Sequence, residues 1–248
     1  MSENIVMIEN FVIVSSAEQA SIRYQLKPGK HCVTFKSPSL VSGTDQAWVV
    51  TSQEPNTLQS MRFGFTSFRS DTLTDLLNIP TEPLHFEDED DDSDYDLMMG
   101  VFMKPDFCAP INSQRCVVLV DVFLVTSPEN VHYLIYMKNK ERPFALAGIY
   151  DHWKDPQTGE VTAGFAIITV AANPMLRRIG VEHMPVILAQ KNVTKWLDLK
   201  TDRRHYLPLI HTFPDDVMNG YPVSGQLFSG QLTNNLLQPI GSKLKPGN

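Results

Sequence analysis

The stretch that decides the fold spans residues 142–199 and reads RPFALAGIYDHWKDPQTGEVTAGFAIITVAANPMLRRIGVEHMPVILAQKNVTKWLDL. Two of its runs, 144–150 and 163–170, are rich in β-branched and aromatic residues and predict strands. Between them lies DPQTGE (155–160), whose early proline and late glycine are typical of a turn. The pattern therefore predicts a β-hairpin.

Short β-like runs also dominate the rest of the chain, with few helical patterns between them. Further strands are predicted at 5–14, 46–51, 61–65, 116–125 and 131–137, and SPEN (127–130) predicts a second hairpin turn. Helices are predicted at 17–26, with Ser15 or Ser16 as N-cap, and at 192–199, and a short helical turn at 214–218.

The run CVVLVDVFLV (116–125) bears most directly on the architecture. We interpret its nearly continuous apolar character as one strand buried on both faces, as inside a closed or folded-over sheet. The sequence thus predicts an α+β fold, a mostly antiparallel, barrel-like folded-over β-sheet with a few flanking helices. We expect one domain over residues 1–248.

Composition favours a globular protein of the cytoplasm. Hydrophobic residues make up 42% of the 248 residues and charged residues 20%. No run approaches the roughly 18 apolar residues that a membrane span needs, and the N-terminus lacks signal-peptide features. Three widely spaced cysteines suit a reducing compartment. We predict a cytoplasmic location and no membrane partner.

The charge of the chain is unevenly distributed. The formal net charge is −7, yet residues 81–96 hold nine acids and no Lys or Arg. The rest of the chain has 21 bases against 19 acids, a balance of +2. We predict that 86–96 is an acidic, disordered loop and that the remaining body tolerates nucleic acid.

Several motifs occur in the order expected for one known family. They are RFGF (62–65), Arg115-Cys116 followed by Asp121, AGIY (147–150), Ile168-Thr169, Ala172-Asn173, MPVIL (184–188), Trp196-Leu197 and PDDVMNGYPVS (214–224). Over roughly residues 45–241 the chain resembles the SOS response-associated peptidase family, whose members sense abasic sites in single-stranded DNA.

This resemblance implies a specific chemistry. In the family, removal of the initiator Met exposes a cysteine, whose α-amine attacks the ring-opened aldehyde of an abasic site. The thiol then closes the adduct into a thiazolidine. An amine with a pKa of about 7.7–8.0 keeps a useful neutral fraction at cytoplasmic pH. A glutamate and a histidine move protons, while an asparagine and arginines hold the adduct and the DNA.

The chain departs from the family at the reactive positions. Ser2 stands where the family has its cysteine, and Val125 falls at the glutamate position. The histidine position falls on Gly180 or Val181, depending on the anchor used. The family's Asn-x-Arg-x-Glu motif is expected near 95–99, where no match is found. A positioned acid or base is worth about 10²–10⁴ in rate, so these changes predict impaired chemistry.

Candidate site residues follow from the resemblance. Ser2 is the catalytic candidate, and the nucleic-acid-binding candidates are Arg62, Arg115, Thr169, Asn173 and His183. For Thr169 and Asn173, capping or turn roles are an open alternative, and for His183 a structural role is. The seven histidines form no metal pattern, so we predict no metal and no cofactor.

The remaining reactive side chains are interpreted as structural. Adjacent residues of a strand point to opposite faces, so Asp151-His152 is a poor acid–base pair. Cys116, within a run of valines, is expected to be an inert buried thiol.

Three functions are compatible with these residues. The first is a divergent family member that keeps the fold and single-stranded DNA binding but lacks crosslinking or peptidase chemistry. The second is an altered enzyme whose Ser2 amine forms a reversible Schiff base with the aldehyde. The third is a protein-interaction module in which the acidic run mimics DNA. Whether the chain is an enzyme stays open at this level.

Overall fold

The computed structural model describes residues 8–30, 32–81, 102, 104–139 and 141–246. The strands are β1 (Asn10–Ile13), β2 (Lys27–Pro28), β3 (Ser39–Ser42), β4 (Gln46–Thr51), β5 (Thr57–Phe63), β6 (Asn78–Pro80), β7 (Arg115–Val120), β8 (Val122–Thr126), β9 (His132–Met137), β10 (Phe144–Lys154), β11 (Val161–Ala171), β12 (His183–Pro185), β13 (Ile187–Leu188) and β14 (Met218–Val223). The α-helices are α1 (Ala17–Tyr24), α2 (Pro105–Ser113), α3 (Pro174–Arg177), α4 (Val193–Leu197) and α5 (Arg203–Tyr206). The predictions for Ser2, for residues 95–99 and for the acidic loop 86–96 lie outside the described residues.

Five strands of the larger sheet close into a barrel. Antiparallel pairing joins β5 to β4, β4 to β7, β7 to β10 and β10 to β11. A parallel pair between β5 and β11 then completes the ring, with Arg62 opposite Gly164 and Phe63 opposite Phe165. A Cβ atom on Gly164 would collide with the carbonyl oxygen of Gly64. The closing contact therefore requires a glycine at this position.

A second sheet of five antiparallel strands, in the order β14-β9-β8-β1-β3, packs against the barrel. Alternate residues, including Phe11 and Phe123, join the main core on its inner face. The other face forms a smaller core, which Leu227 and Leu232 of the C-terminal segment help to cover. The predicted α+β, barrel-like fold is confirmed.

The single strand predicted at 116–125 was wrong, because the chain changes sheets at Asp121. β7 belongs to the barrel and β8 to the second sheet. The buried Asp121 carboxylate lies at this corner and accepts hydrogen bonds from the Val14 amide at 2.7 Å, the Ser15 amide at 2.8 Å and the Ser15 hydroxyl at 2.5 Å. These donors, just after β1, hold the carboxylate at the corner. The apolar pattern of 116–125 gives no sign of this corner.

Most other local predictions are confirmed. The turns at 155–160 and 127–130 connect β10 to β11 and β8 to β9. Ser16 caps α1 in a reciprocal pair with Gln19. Residues 214–218 contribute a 3₁₀ turn and the start of β14, whereas α2 and β14 themselves were not predicted. Within the described ranges, no helix is both long and apolar enough to span a membrane.

Candidate nucleic-acid interface

The central part of the candidate site is formed where three strands meet. β6 runs parallel to β11, with Asn78 opposite Ile167 and Pro80 opposite Thr169. On the other side of β11, β12 pairs antiparallel to it, with Thr169 opposite Pro185. We call this meeting point the β6–β11–β12 site.

Asn78 is the most unusual polar group of this site. It is 2% exposed, and its Nδ2 donates to the Ile8 carbonyl at 2.9 Å. Its Oδ1 has no hydrogen-bond partner among the described residues. A buried acceptor without a partner costs about 1–3 kcal/mol. The Asn78 side chain therefore has an acceptor without a partner among the described residues, close to Ile8, the first of them.

Asn78 also offers a second candidate position for the family's asparagine motif. Residues 78–82 read NIPTE, which match Asn-x-Arg-x-Glu at the asparagine and glutamate and have Pro80 in place of arginine. This second candidate precedes the acidic run, whereas the expectation near 95–99 stays untested because those residues lie outside the described ones. The Asn and Glu at a spacing of four were the signal that was overlooked.

The structure brings two of the predicted residues together. His183 lies opposite Ala171, two residues from Thr169 on β11. Side chains repeat on one face every second residue, so Thr169 and His183 are diagonal neighbours at about 7 Å. Thr169 is 3% exposed and His183 half-buried, so of the two only His183 offers appreciable surface to a ligand.

Asn173 has a structural role, which the sequence left open. Its Oδ1 accepts from the Leu176 amide at 3.1 Å and so caps α3. Its Nδ2 donates to the Phe213 carbonyl at 3.0 Å and also contacts the Met218 sulfur. The residue is 1% exposed. Because both ends of its amide are engaged inside the protein, we correct its assignment as a DNA contact.

Arg62 lies away from the β6–β11–β12 site. It stands opposite Gly164, five residues before Thr169, which places it about 16 Å along β11. Its Nε and Nη2 donate to the two carboxylate oxygens of Asp75 at 3.0 and 2.6 Å. About a quarter of each side chain is exposed, so the pair lies at the surface, where Arg62 remains a candidate phosphate contact.

Arg115 was predicted to contact DNA, but its guanidinium is buried in the fold. The residue is 1% exposed and donates to the carbonyls of Trp196, Ile111, Asn112 and Asp198 at 2.6–3.3 Å. These carbonyls end α2 and α4, where the helix dipoles favour a cation. Burial lowers the pKa of Arg115. The side chain joins two helices to the barrel and does not reach a ligand.

The residues that fall at the family's proton-transfer positions carry no ionisable group. Val125 is 2% exposed and Val181 is fully buried, both within the main core. Gly180 has a φ of 75°, and a Cβ atom there would lie 2.6 Å from Cδ of Pro128. An imidazole therefore has no room at position 180 unless the β8–β9 turn moves.

One exposed aromatic pair escaped the sequence predictions. Phe68 is 52% exposed, and the Arg69 guanidinium lies 5.1 Å from its ring centroid. The Phe68 amide donates to the buried Asp151 carboxylate at 2.9 Å, which fixes the start of this loop. An exposed aromatic face beside a cation is suited to stacking with a nucleobase. A bulky aromatic between Ser67 and Arg69, in a polar loop, was the available signal.

The remaining reactive groups have structural surroundings. Asp151 also accepts from the Gln114 amide at 3.0 Å and from the His152 backbone at 2.8 Å, so its carboxylate is saturated. Cys116 is fully buried, and burial raises the pKa of its thiol well above the usual range. Among the described residues no group of three His, Cys, Asp or Glu is arranged to hold a metal ion.

Comparison with solved structures supports the fold. A crystal structure of a Bacteroides thetaiotaomicron protein matches with a TM-score of 0.78 at 22% identity, covering 93% of this chain and 99% of that chain. A Bordetella bronchiseptica protein matches with a TM-score of 0.64 at 14% identity, covering 87% and 99%.

Sequence relatives carry the identification further. Abasic site processing protein YoqW of Bacillus subtilis (strain 168) is 34% identical over 125 residues, which are 49% of this chain and 55% of that protein. Abasic site processing protein HMCES of Xenopus tropicalis is 31% identical over 132 residues, 45% and 38% of the two chains. The chain spans about half the length, or less, of these curated relatives. The model of the family described as SOS response associated peptidase (SRAP) matches residues 98–229, more than half of the chain. The chain therefore belongs to the SRAP family.

Proposed function

We propose that the protein binds single-stranded DNA containing abasic sites and is impaired in the covalent chemistry of its family. One observation carries this proposal: the family's acid and base positions fall on Val125 and on Val181 or Gly180, of which the two valines lie inside the packed core and the partly exposed glycine has no side chain. Side chains without ionisable groups transfer no protons. The loss of one positioned acid or base slows a reaction by about 10²–10⁴, and neither position retains one.

Retained polar features support the DNA-binding half of the proposal. Asn78 keeps the family's asparagine, with its Oδ1 free of partners within the described chain. The half-buried His183 lies on β12, across β11 from Asn78. The exposed Phe68–Arg69 pair adds a stacking surface next to a cation. Together these groups can recognise a single strand and the sugar that lacks its base, without forming a covalent bond.

A crosslinking assay tests both halves of this proposal. The protein is incubated with a single-stranded oligonucleotide that carries one abasic site, and separately with the same oligonucleotide carrying an intact base. We expect tighter binding of the abasic strand in a native gel and no adduct after heating in detergent. A heat-stable, protein-sized adduct would show that the chemistry survives. Equal affinity for both strands would refute the recognition of the lesion.

Ser2→Cys provides a matched variant for this assay. If the missing proton-transfer groups limit the reaction, restoring the thiol alone leaves the yield of adduct low. If the variant crosslinks as efficiently as a family member with all its groups, the apolar residues at 125, 180 and 181 are not the cause of the impairment.

A second candidate function, Schiff-base formation by the Ser2 amine, is favoured by one contact. The Asn78 amide holds the Ile8 carbonyl, so the chain that leads from position 2 joins the described structure at the β6–β11–β12 site. After Met1 removal, the neutral amine would attack the aldehyde carbon and release water to give an imine. Borohydride should then trap an adduct that is otherwise reversible. Equal trapping by a protein with an N-acetylated Ser2 would refute this route.

A further inference from the structure

A cavity lies beside the smaller core of the second sheet, apart from the candidate site. Its volume is about 320 Å³, within the range of about 300–1,000 Å³ that is typical of small-molecule pockets. Strands β8, β9 and β14 contribute lining residues, and so does the C-terminal segment at 234–238. In the described chain, no lining residue belongs to β6, β11 or β12. We call this space the second-sheet cavity.

Two tyrosines give the second-sheet cavity an aromatic surface. Tyr136 and Tyr221 lie on the paired strands β9 and β14, with ring centroids 5.7 Å apart and ring planes at 63°. Both residues line the cavity, and both are partly exposed. The Tyr221 hydroxyl donates to the Leu237 carbonyl at 2.9 Å, which holds this ring against the C-terminal segment. A further ring can pack against such a pair in edge-to-face or offset geometry.

The charged groups around the cavity leave one charge without a partner. Asp121 is 2% exposed, and its carboxylate accepts the hydrogen bonds from three donors just after β1. Glu141 pairs with Arg23 at 2.9 Å. Arg142, by contrast, is exposed, and its guanidinium forms no salt bridge with any residue that the structure describes. The uncompensated charge that lines the cavity is therefore positive.

We propose that the second-sheet cavity binds a small aromatic carboxylic acid in its ionised form. The ring would pack against Tyr136 and Tyr221, with further apolar contact from the partly exposed Leu237. The carboxylate would accept two parallel hydrogen bonds from the Arg142 guanidinium, a geometry that arginine provides and lysine does not. A cationic ligand of the same shape would be repelled by Arg142, because both acids at the cavity already have partners.

This inference goes beyond the proposed function and does not depend on it. Among the described residues, the lining of the second-sheet cavity includes no candidate for DNA binding, since Asn78, Phe68, Thr169 and His183 all lie elsewhere. The affinity for an abasic strand is therefore a separate measurement, and either proposal can fail while the other holds.

Three probes test the chemistry of the ligand. The full chain is titrated with naphthoate, with the uncharged naphthylmethanol and with the non-aromatic cyclohexanecarboxylate. Binding is followed by the amide chemical shifts of isotope-labelled protein, which also locate the site. We expect naphthoate to bind about three- to tenfold more tightly than either of the other probes. The shifts should lie at residues 142, 221 and 234–238, and the advantage over naphthylmethanol should shrink at high salt, which screens exposed charges.

Matched variants test the residues. Arg142→Met should weaken naphthoate binding by about three- to tenfold and leave naphthylmethanol binding within about twofold. Arg142→Lys should recover only part of the loss, because a single ammonium lacks the planar fork. Arg177→Met is the control, since Arg177 is also exposed but does not line the cavity. Tyr136→Leu, which keeps the apolar volume, should weaken both aromatic probes. Circular dichroism verifies that each variant is folded.

Several results would overturn the inference. Naphthoate that does not bind, or that shifts amides only outside the second-sheet cavity, would show that the cavity is not a site for this ligand. Equal affinities for naphthoate and naphthylmethanol would remove the role of charge, as would equal losses in Arg142→Met and Arg177→Met. Equal affinities for naphthoate and cyclohexanecarboxylate would remove the role of the two tyrosines.

Discussion

The α2–α4 end of the barrel and the β6–β11–β12 site both bury polar side chains, but they satisfy them to different degrees. Arg115 makes four hydrogen bonds to carbonyls and lies 4.3 Å from the centroid of the Tyr206 ring. Asn78, in contrast, uses its amide nitrogen and leaves its oxygen without a partner among the described residues. A saturated polar group stabilises the fold, whereas a buried group that lacks a partner costs stability, so its retention calls for an explanation outside the fold.

Removing the guanidinium at position 115 should have the largest effect. Arg115→Met leaves four carbonyls without their donor, and we expect the free energy of unfolding to fall by about 3–5 kcal/mol. Arg62→Met is the matched control, because losing its partly exposed ion pair with Asp75 should lower the free energy of unfolding by only about 1 kcal/mol. Urea denaturation followed by circular dichroism measures both. Equal losses would remove the distinction between a saturated and a surface arginine.

The two buried asparagines give a sharper comparison. Asn173→Leu removes a helix cap and two further contacts, and should cost about 2–3 kcal/mol. Asn78→Leu removes one hydrogen bond and one unsatisfied oxygen, and should cost about 1 kcal/mol or less. Urea titrations rank the two proteins. If Asn78→Leu is the less stable variant, Oδ1 of Asn78 in the wild-type protein has a partner that supports the fold.

Tyr206 gives a smaller, pH-dependent test of the saturated end. Burial raises the pKa of its hydroxyl, which donates to Asn112 Oδ1 at 3.0 Å. The folded protein therefore keeps a proton that the unfolded chain loses near pH 10, and stability should fall as the pH rises above about 10. Tyr206→Phe should weaken this decline, as followed by melting temperatures between pH 8 and 11. An unchanged decline would assign it to other groups.

The smallest effect concerns thiol reactivity. Cys116 is buried next to Arg115, and burial keeps its pKa raised, whereas Cys32 and Cys108 are half-buried. With a thiol reagent at pH 8 we expect Cys116 to stay unlabelled until urea unfolds the chain. Mass spectrometry of labelled peptides identifies the sites. Rapid labelling of Cys116 in native protein would show that this end of the barrel opens readily.

The strands with strong local patterns were predictable from sequence. β4 was predicted at 46–51, where the structure has it, and both hairpin turns were placed correctly. The apolar run at 116–125 was not, because hydrophobicity reports burial and does not show that Asp121 transfers the chain to another sheet. Such a corner depends on a partner, the end of β1, about a hundred residues away.

The site was predicted only in part, for a related reason. Thr169 and His183 are brought together because the family motifs mark the strands that pair. Family position alone did not distinguish a ligand contact from a structural group, so Arg115 and Asn173 were misassigned. Asn78 was not predicted because NIPTE (78–82) has proline where the family motif has arginine. The exposure of Phe68 could not be predicted, because it depends on how the loop after β5 folds.

Gly164, which lets β5 and β11 pair and close the barrel, also determines how a substitution at this position would harm the protein. A side chain at position 164 would push β5 and β11 apart, and both strands would then present unpaired backbone edges. Exposed edges recruit strands from other molecules. A substitution of Gly164 should therefore cause self-association at high protein concentration, in addition to a lower melting temperature.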